Sequence, residues 1–112
     1  MENTHTINVA KEFSKYPGGR YLADGDCSGE RFRNEFLVPA LRAHPSVRVN
    51  LDGTLGYGSS FLEEAFGGLV REAGFMSKDL DRSLILETNN ETLGYTIRRY
   101  IAEAKAGKAT HR

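Results

Sequence analysis

The chain has 112 residues, the size of one domain, and can bury a core without a disulfide or metal staple. Lysine plus arginine and aspartate plus glutamate are equal at 15 each, so there is no bulk attraction for nucleic acid or an anionic membrane. The one cysteine, Cys27, allows no intrachain disulfide, Met1-Glu2-Asn3-Thr4-His5 does not read as a signal peptide, and no apolar run approaches the roughly 18 residues that span a bilayer. A soluble, cytoplasmic domain is expected.

Thr6 to Ala10 places Ile7 and Val9 on one side and reads as a short half-buried strand. Pro17-Gly18-Gly19 is a turn signal, and Arg20 to Ala23 could form a second strand pairing with the first. Asp26 or Ser28 can cap a helix whose inner face carries Phe32, Phe36, Leu37, Ala40 and Leu41. Pro39 lies inside that helix and removes its bond to the Glu35 carbonyl, so a kink or an early last turn is expected, with Pro45 as the stop. Val47, Val49 and Leu51 alternate with polar residues as a strand.

Phe61, Leu62, Ala65, Phe66, Leu69 and Val70 form the stripe of a second helix, which Gly74 ends. Ser77 to Arg82 reads as a polar connection and Ser83 to Glu87 as a covered strand. Asn89 or Asn90 caps a third helix with Leu93, Ile97, Ile101 and Ala104 on one face. This alternation predicts an α/β fold with parallel neighbours joined by right-handed crossovers.

The segment from Leu51 to Ser60 (Leu-Asp-Gly-Thr-Leu-Gly-Tyr-Gly-Ser-Ser) runs from a strand end into a helix start, where unpaired amides and the helix dipole favour a hydroxyl or an anion. Three readings are open. Ser59 is an N-cap worth roughly 1 kcal/mol. The turn cradles a ligand phosphate, although neither Gly-x-x-x-x-Gly-Lys-Ser/Thr nor Gly-x-Gly-x-x-Gly is present. Or a serine is phosphorylated, adding about −1.5 to −2 charges beside a partner surface.

Other charged and polar residues suggest no catalytic centre. Glu63 and Glu64 are about 100° apart on a helix and are expected on a solvated first turn. Gly67-Gly68 costs the second helix roughly 1 kcal/mol per glycine, which close approach of another backbone would offset. His5, His44 and His111 lack ligand spacing, Cys27 is expected as a half-buried thiol, and Arg20, Arg31 and Arg33 could gather near one loop, with surface solvation the simpler expectation. Arg98, Arg99, Lys105 and Lys108 suit a helix C-terminus. No cofactor, metal, nucleic acid or membrane is expected.

A family resemblance enters on Tyr16-Pro17-Gly18-Gly19-Arg20, on Ser28-Gly29-Glu30-Arg31-Phe32-Arg33, and on Leu51-Asp52-Gly53 followed by residues 56–69, the Gly-Tyr-Gly-Ser-Ser-Phe-Leu-Glu-Glu-Ala-Phe-Gly-Gly-Leu block. On these the chain resembles the STAS-like family of short bacterial and phage-associated proteins, and more distantly the STAS domains of anti-sigma-factor antagonists. The resemblance implies a STAS-like α/β domain over residues 1–106, with a mixed sheet of about four strands, about three helices, and a disordered tail at 107–112. In the antagonists the first serine of an Asp-Ser-Ser-Gly turn is phosphorylated by a partner kinase, which would correspond to Ser59 with Ser60 beside it. Here Gly58 stands for the aspartate and Phe61 for the glycine.

The expected role is a non-enzymatic regulatory contact with a protein partner, a histidine-kinase-like ATPase being the class the resemblance suggests. The residues expected at the interaction or anion-binding surface are Asp52, Gly56, Tyr57, Gly58, Ser59, Ser60, Glu63 and Glu64. The alternative is a small-ligand or nucleotide-binding module serving an enzyme as an accessory subunit, and self-association into a homo-oligomer is compatible with either.

Overall fold

The computed structural model describes residues 4–105, so the expected tail at 107–112 lies outside the described residues. Strands β1 (Thr4–Asn8), β2 (Ser46–Asn50) and β3 (Leu84–Glu87) form one sheet in the order β1-β2-β3. Both pairings are parallel, with Ile7 opposite Val49 and Val49 opposite Leu86. The sheet is thus three-stranded and wholly parallel, where a mixed sheet of about four strands was expected.

The missing strand is Arg20–Ala23. Its backbone is diverted locally: the Asp24 carboxylate accepts the Arg20 and Tyr21 N–H groups at 3.2 and 2.8 Å. The Arg20 carbonyl is taken by the Glu30 amide, and Leu22–Asp24 makes a 3₁₀ turn. With its ladder groups so engaged, the segment cannot pair with β1. The first strand is also displaced, because Asn8 caps a π turn over Val9–Phe13 by accepting the Lys11 N–H at 3.0 Å. Ala10 therefore belongs to that turn.

The helices are α1 (residues 29–43), α2 (residues 59–71), α3 (Ser77–Ser83) and α4 (Glu91–Glu103). Besides the single turns at Val9–Phe13 and Leu22–Asp24, the described residues form these four helices, where about three were expected. The addition is α3, where a polar connection was expected. It buries only Leu80, and one apolar residue in seven gives no readable period.

Ser28, not Asp26, caps α1, its hydroxyl accepting the Arg31 N–H at 3.1 Å. Pro39 does not shorten α1. The turn before it, Arg33–Leu37, widens to π geometry, with the Val38 N–H reaching the Arg33 carbonyl, and the helix continues to Ala43. A wider turn accommodates the missing donor without a break. Asn90 caps α4 through the Leu93 N–H at 3.1 Å, and Gly74, at φ +83°, turns the chain away after α2.

One face of the sheet presents Ile7, Val47, Val49 and Leu84 to a core shared with Phe32, Leu37, Phe66, Leu69, Ile97 and Ile101 from the helices. Phe32 lies at the centre of a ring cluster, 5.1 Å from Phe13, 5.6 Å from Phe36 and 6.0 Å from Phe61 between centroids. Such contacts add to burial roughly 0.5–1.5 kcal/mol each. The α1 helix packs on α2 and α2 on α4, which fixes where the α2 N-terminus emerges at the carboxyl end of β2.

Candidate functional site

Chain direction places the Leu51–Gly58 loop at the carboxyl end of β2, the usual location of sites in parallel α/β folds. Positive φ at Gly53 (+100°) and Gly56 (+142°) lets this loop fold back on itself. The Leu55 N–H donates to the Lys15 carbonyl at 2.9 Å, tying the loop to the segment after β1.

At the helix start the sequence expectation is met in position and corrected in detail. The N-cap of α2 is Gly58, not Ser59, and it offers no side-chain bond to the first amides. Ser59 and Ser60 are both exposed as the first two helical residues. Among the described residues neither hydroxyl makes a hydrogen bond. They stand where uncapped N–H groups meet solvent.

The other predicted site residues divide. Asp52 is occupied: its carboxylate accepts the Thr88 hydroxyl at 2.8 Å and the Asn89 N–H at 3.1 Å, joining the loop after β2 to the loop after β3. Tyr57 is half-buried and donates to the Leu51 carbonyl at 2.7 Å. Burial pushes its hydroxyl up to about 12, with the Asp52 charge adding to the rise and a bond to Thr54 opposing it.

A phenol whose pKa is raised on folding contributes stability that is intact below its unfolded value and lost as pH rises through the folded one. Unfolding should therefore become easier between roughly pH 10 and 12. Tyr57→Phe should flatten that part of the stability–pH curve, as read by urea titration with tyrosinate absorbance in parallel.

Glu63 and Glu64 are not on a solvated face. Glu64 is 3 % exposed, and its carboxylate accepts from Arg33 at 2.8 Å, Arg71 at 3.2 Å and Arg20 at 3.3 Å. Glu63 accepts from Arg71 at 2.6 Å and Arg20 at 2.5 Å. The two carboxylates do not converge on each other; they converge on shared guanidinium groups. Burial raises the Glu63 carboxyl, but bonds from Arg71 and Arg20 outweigh it and hold the group below its ordinary value. Those bonds in turn raise Arg71 and Arg20. The five side chains pin α1, α2 and the Arg20 loop together.

Of the three arginines expected in solvent, only Arg31 stays near the surface, paired with Glu35 at 3.1 Å. The Gly67-Gly68 pair also has a different reason from the expected backbone approach. A Cβ on Gly68 would run into the Arg33 guanidinium, and one on Gly67 would lie 2.7 Å from the Glu63 carboxylate. The glycines make room for the ion network.

His5 and His44 are brought together, stacked 4.6 Å apart at 5° between planes, although nothing in their spacing indicated it. His111 lies outside the described residues. Among the described residues no group of three or more His, Cys, Asp or Glu is placed to hold a metal, and no helix is long and apolar enough to cross a membrane. Cys27 is half-buried, as expected. Arg98 does more than answer a helix dipole: it donates to the carbonyls of Leu80, at 3.2 Å, and Leu84, and burial lowers its pKa.

The class defined by these features is a parallel α/β domain that presents an exposed pair of serines at the helix following its central strand. Residues 28–93 match the profile described as a STAS-like domain of unknown function (DUF4325), and the chain belongs to that family. The match includes the blocks beginning at Ser28 and at Leu51, while Tyr16 to Arg20 precedes it. Comparison with curated proteins and with solved structures returned no match.

Proposed function

We propose that this domain is a non-enzymatic regulator acting through protein–protein contact, and that its contact surface is the start of α2. The observation that carries this reading is a division of labour among neighbouring residues. Asp52, Tyr57, Glu63 and Glu64 are all engaged inside the molecule, whereas Ser59 and Ser60 are exposed with hydroxyls uncommitted. Leu55, in the same loop, is 80 % exposed, and Tyr16, next to the residue that anchors Leu55, is 68 % exposed. An exposed apolar side chain and an exposed aromatic on the loop that leads to these free hydroxyls, and on the segment tied to it, are the residue types of an interface centre.

A partner kinase of the histidine-kinase-like ATPase class would regulate this surface by phosphorylating Ser59. The added charge would be stabilised by the helix N-terminus and would also deny the surface to a partner that packs on it. Affinity capture with the full chain as bait should recover a specific partner. Leu55→Lys and Ser59→Asp should each weaken its capture by roughly tenfold or more, about 1.4 kcal/mol, with thermal stability unchanged. Failure of repeated baits to return any specific protein would overturn the contact reading. Intact-mass measurement of protein from its host, showing no phosphate, together with undiminished binding by Ser59→Asp, would remove the kinase part alone.

A second reading is favoured by one observation. A cleft of about 260 Å³ at the strand ends is lined by Leu51, Thr54, Tyr57, Thr88, Asn90 and Leu93, and it could seat a small ligand in an accessory subunit. Thermal-shift screening against nucleotides and phosphates separates the two, since ligand at 100 times its Kd adds about 2.7 kcal/mol. The contact reading expects no shift.

A further inference from the structure

The loops that follow β2 and β3 enclose the cleft of about 260 Å³ at the carboxyl end of the sheet, and its lining favours one sign of charge. Among the described residues around it, Asp52 carries the one charged side chain. That carboxylate is half-buried and hydrogen-bonded, yet not charge-paired. Its Oδ1 accepts the Thr88 hydroxyl at 2.8 Å, and the Asn89 N–H reaches Oδ1 and Oδ2 at 3.2 and 3.1 Å. Both donors are neutral, and among the described residues no lysine, arginine or histidine pairs with Asp52. Glu63 and Glu64, by contrast, are each met by arginines.

A carboxylate offers about four acceptor positions, so Oδ2 has room for a further donor. The cleft has few protons of its own to give an anion: Tyr57 spends its hydroxyl on the Leu51 carbonyl, and Thr88 spends its hydroxyl on Asp52. A ligand that brings donors and positive charge matches this lining, whereas one that brings negative charge meets Asp52. A metal ion would lack ligands, since no group of three His, Cys, Asp or Glu is assembled among the described residues. A guanidinium fork needs both carboxylate oxygens, and Oδ1 already takes two donors. A compact ammonium needs one oxygen, and Leu51, Leu93 and the Tyr57 ring give its alkyl stem an apolar wall. We propose that this cleft binds an aliphatic ammonium group, with Asp52 as its counter-charge. The proposal rests on the second reading above and narrows its ligand from small molecules at large to amines. A free amine and a lysine of a contacting protein carry the same group.

Amide NMR of the isotope-labelled full chain, titrated at neutral pH with n-butylammonium, with butyrate and with inorganic phosphate, reads the site directly. The amine should shift the Gly53, Thr54 and Asn89 amides saturably, and the two anions should leave them in place. Asp52→Asn keeps an oxygen for Thr88 and Asn89 and should weaken the amine by about tenfold or more, while Asp81→Asn, exposed on α3, should bind as the parent does. If Asp52→Asn does not fold, Thr54→Lys decides, because an ammonium tethered in the same cleft should exclude the probe. A capped lysine tripeptide separates the two sources. Binding at least as tight as that of the free amine assigns the site to a lysine of a contacting protein, and exclusion of the peptide assigns it to a free amine. Amine binding undiminished in folded Asp52→Asn or Thr54→Lys would overturn the proposal. Butyrate or phosphate shifting the cleft in place of the amine would overturn it too, yet leave the second reading standing; a cleft that no probe shifts would remove both.

Discussion

Glu64→Ala should remove about 3–5 kcal/mol of stability, the largest loss expected from any single charge in the molecule. Glu64 and Arg33 side chains are each 5 % exposed, and Arg33 meets both the Glu64 carboxylate at 2.8 Å and the Glu64 carbonyl at 2.7 Å. Without the carboxylate, the Arg33 charge keeps, among the described residues, that carbonyl and the Asn34 amide oxygen at 3.2 Å. An uncompensated buried charge is what makes one-sided deletions costly. A domain of this size holds roughly 5–15 kcal/mol in all, so the variant should be close to unfolding at physiological temperature.

The reverse deletion should be milder. Glu64 in an Arg33→Met variant still has Arg71 and Arg20, and the thioether side chain can occupy the vacated space. Glu63→Ala should cost about 1 kcal/mol or less, because Glu63 and its two arginine partners are 20–30 % exposed and solvent screens them. Urea denaturation gives the order directly. If Glu64→Ala costs no more than Glu63→Ala, the network is not the clamp described above. On acidification the sign follows from the depressed Glu63 group: its contribution is intact above the ordinary carboxylate value and is lost as pH falls through the folded one.

That clamp was out of reach of sequence reasoning for a physical reason. Arg20, Arg33, Glu63, Glu64 and Arg71 come from a loop and two helices, and no local rule joins positions 43 or 31 residues apart. The same holds for Asp52, whose partner Thr88 lies 36 residues on. By contrast α1, α2 and α4 were legible because each carries a regular apolar stripe, and the three strands because their apolar residues alternate or cluster between turn formers. Tyr21 and Leu22 imitated that pattern, yet they are 53 % and 56 % exposed, since Asp24 claims the backbone before any strand can form. At the candidate site, the Gly-Ser-Ser sequence ahead of an apolar stripe located the helix start. It could not say which neighbours were already spoken for.

Gly29→Ala should destabilise the fold by about 3 kcal/mol, at the upper end for overpacking, and lower Tm by on the order of 15 °C. Gly29 is the buried first residue of α1, and its amide bonds the Gly19 carbonyl at 2.9 Å. An added Cβ would meet the Phe61 carbonyl and lie 3.1 Å from the Ala65 nitrogen. Both are backbone atoms of α2, so neither can yield by a side-chain rotation. Relief requires moving α1 off α2, which opens the packing of Phe32 on Phe61 and Phe66. Helix propensity, worth up to about 1 kcal/mol in favour of alanine, cannot offset that.

Gly58→Ala supplies the contrast, because its φ of −75° suits any residue and nothing lies within 4 Å of the new methyl; alanine is a poorer N-cap than glycine, so it should cost about 1 kcal/mol or less. Gly68→Ala belongs between them. Its methyl meets the end of a flexible side chain, but that side chain is Arg33, already committed to Glu64. The penalty at Gly68 should therefore shrink in an Arg33→Met background, whereas the penalty at Gly29 should not. A double-mutant cycle by thermal denaturation reads that difference. Equal penalties at Gly68 in both backgrounds would mean that the glycine pair serves something other than the guanidinium lying over it.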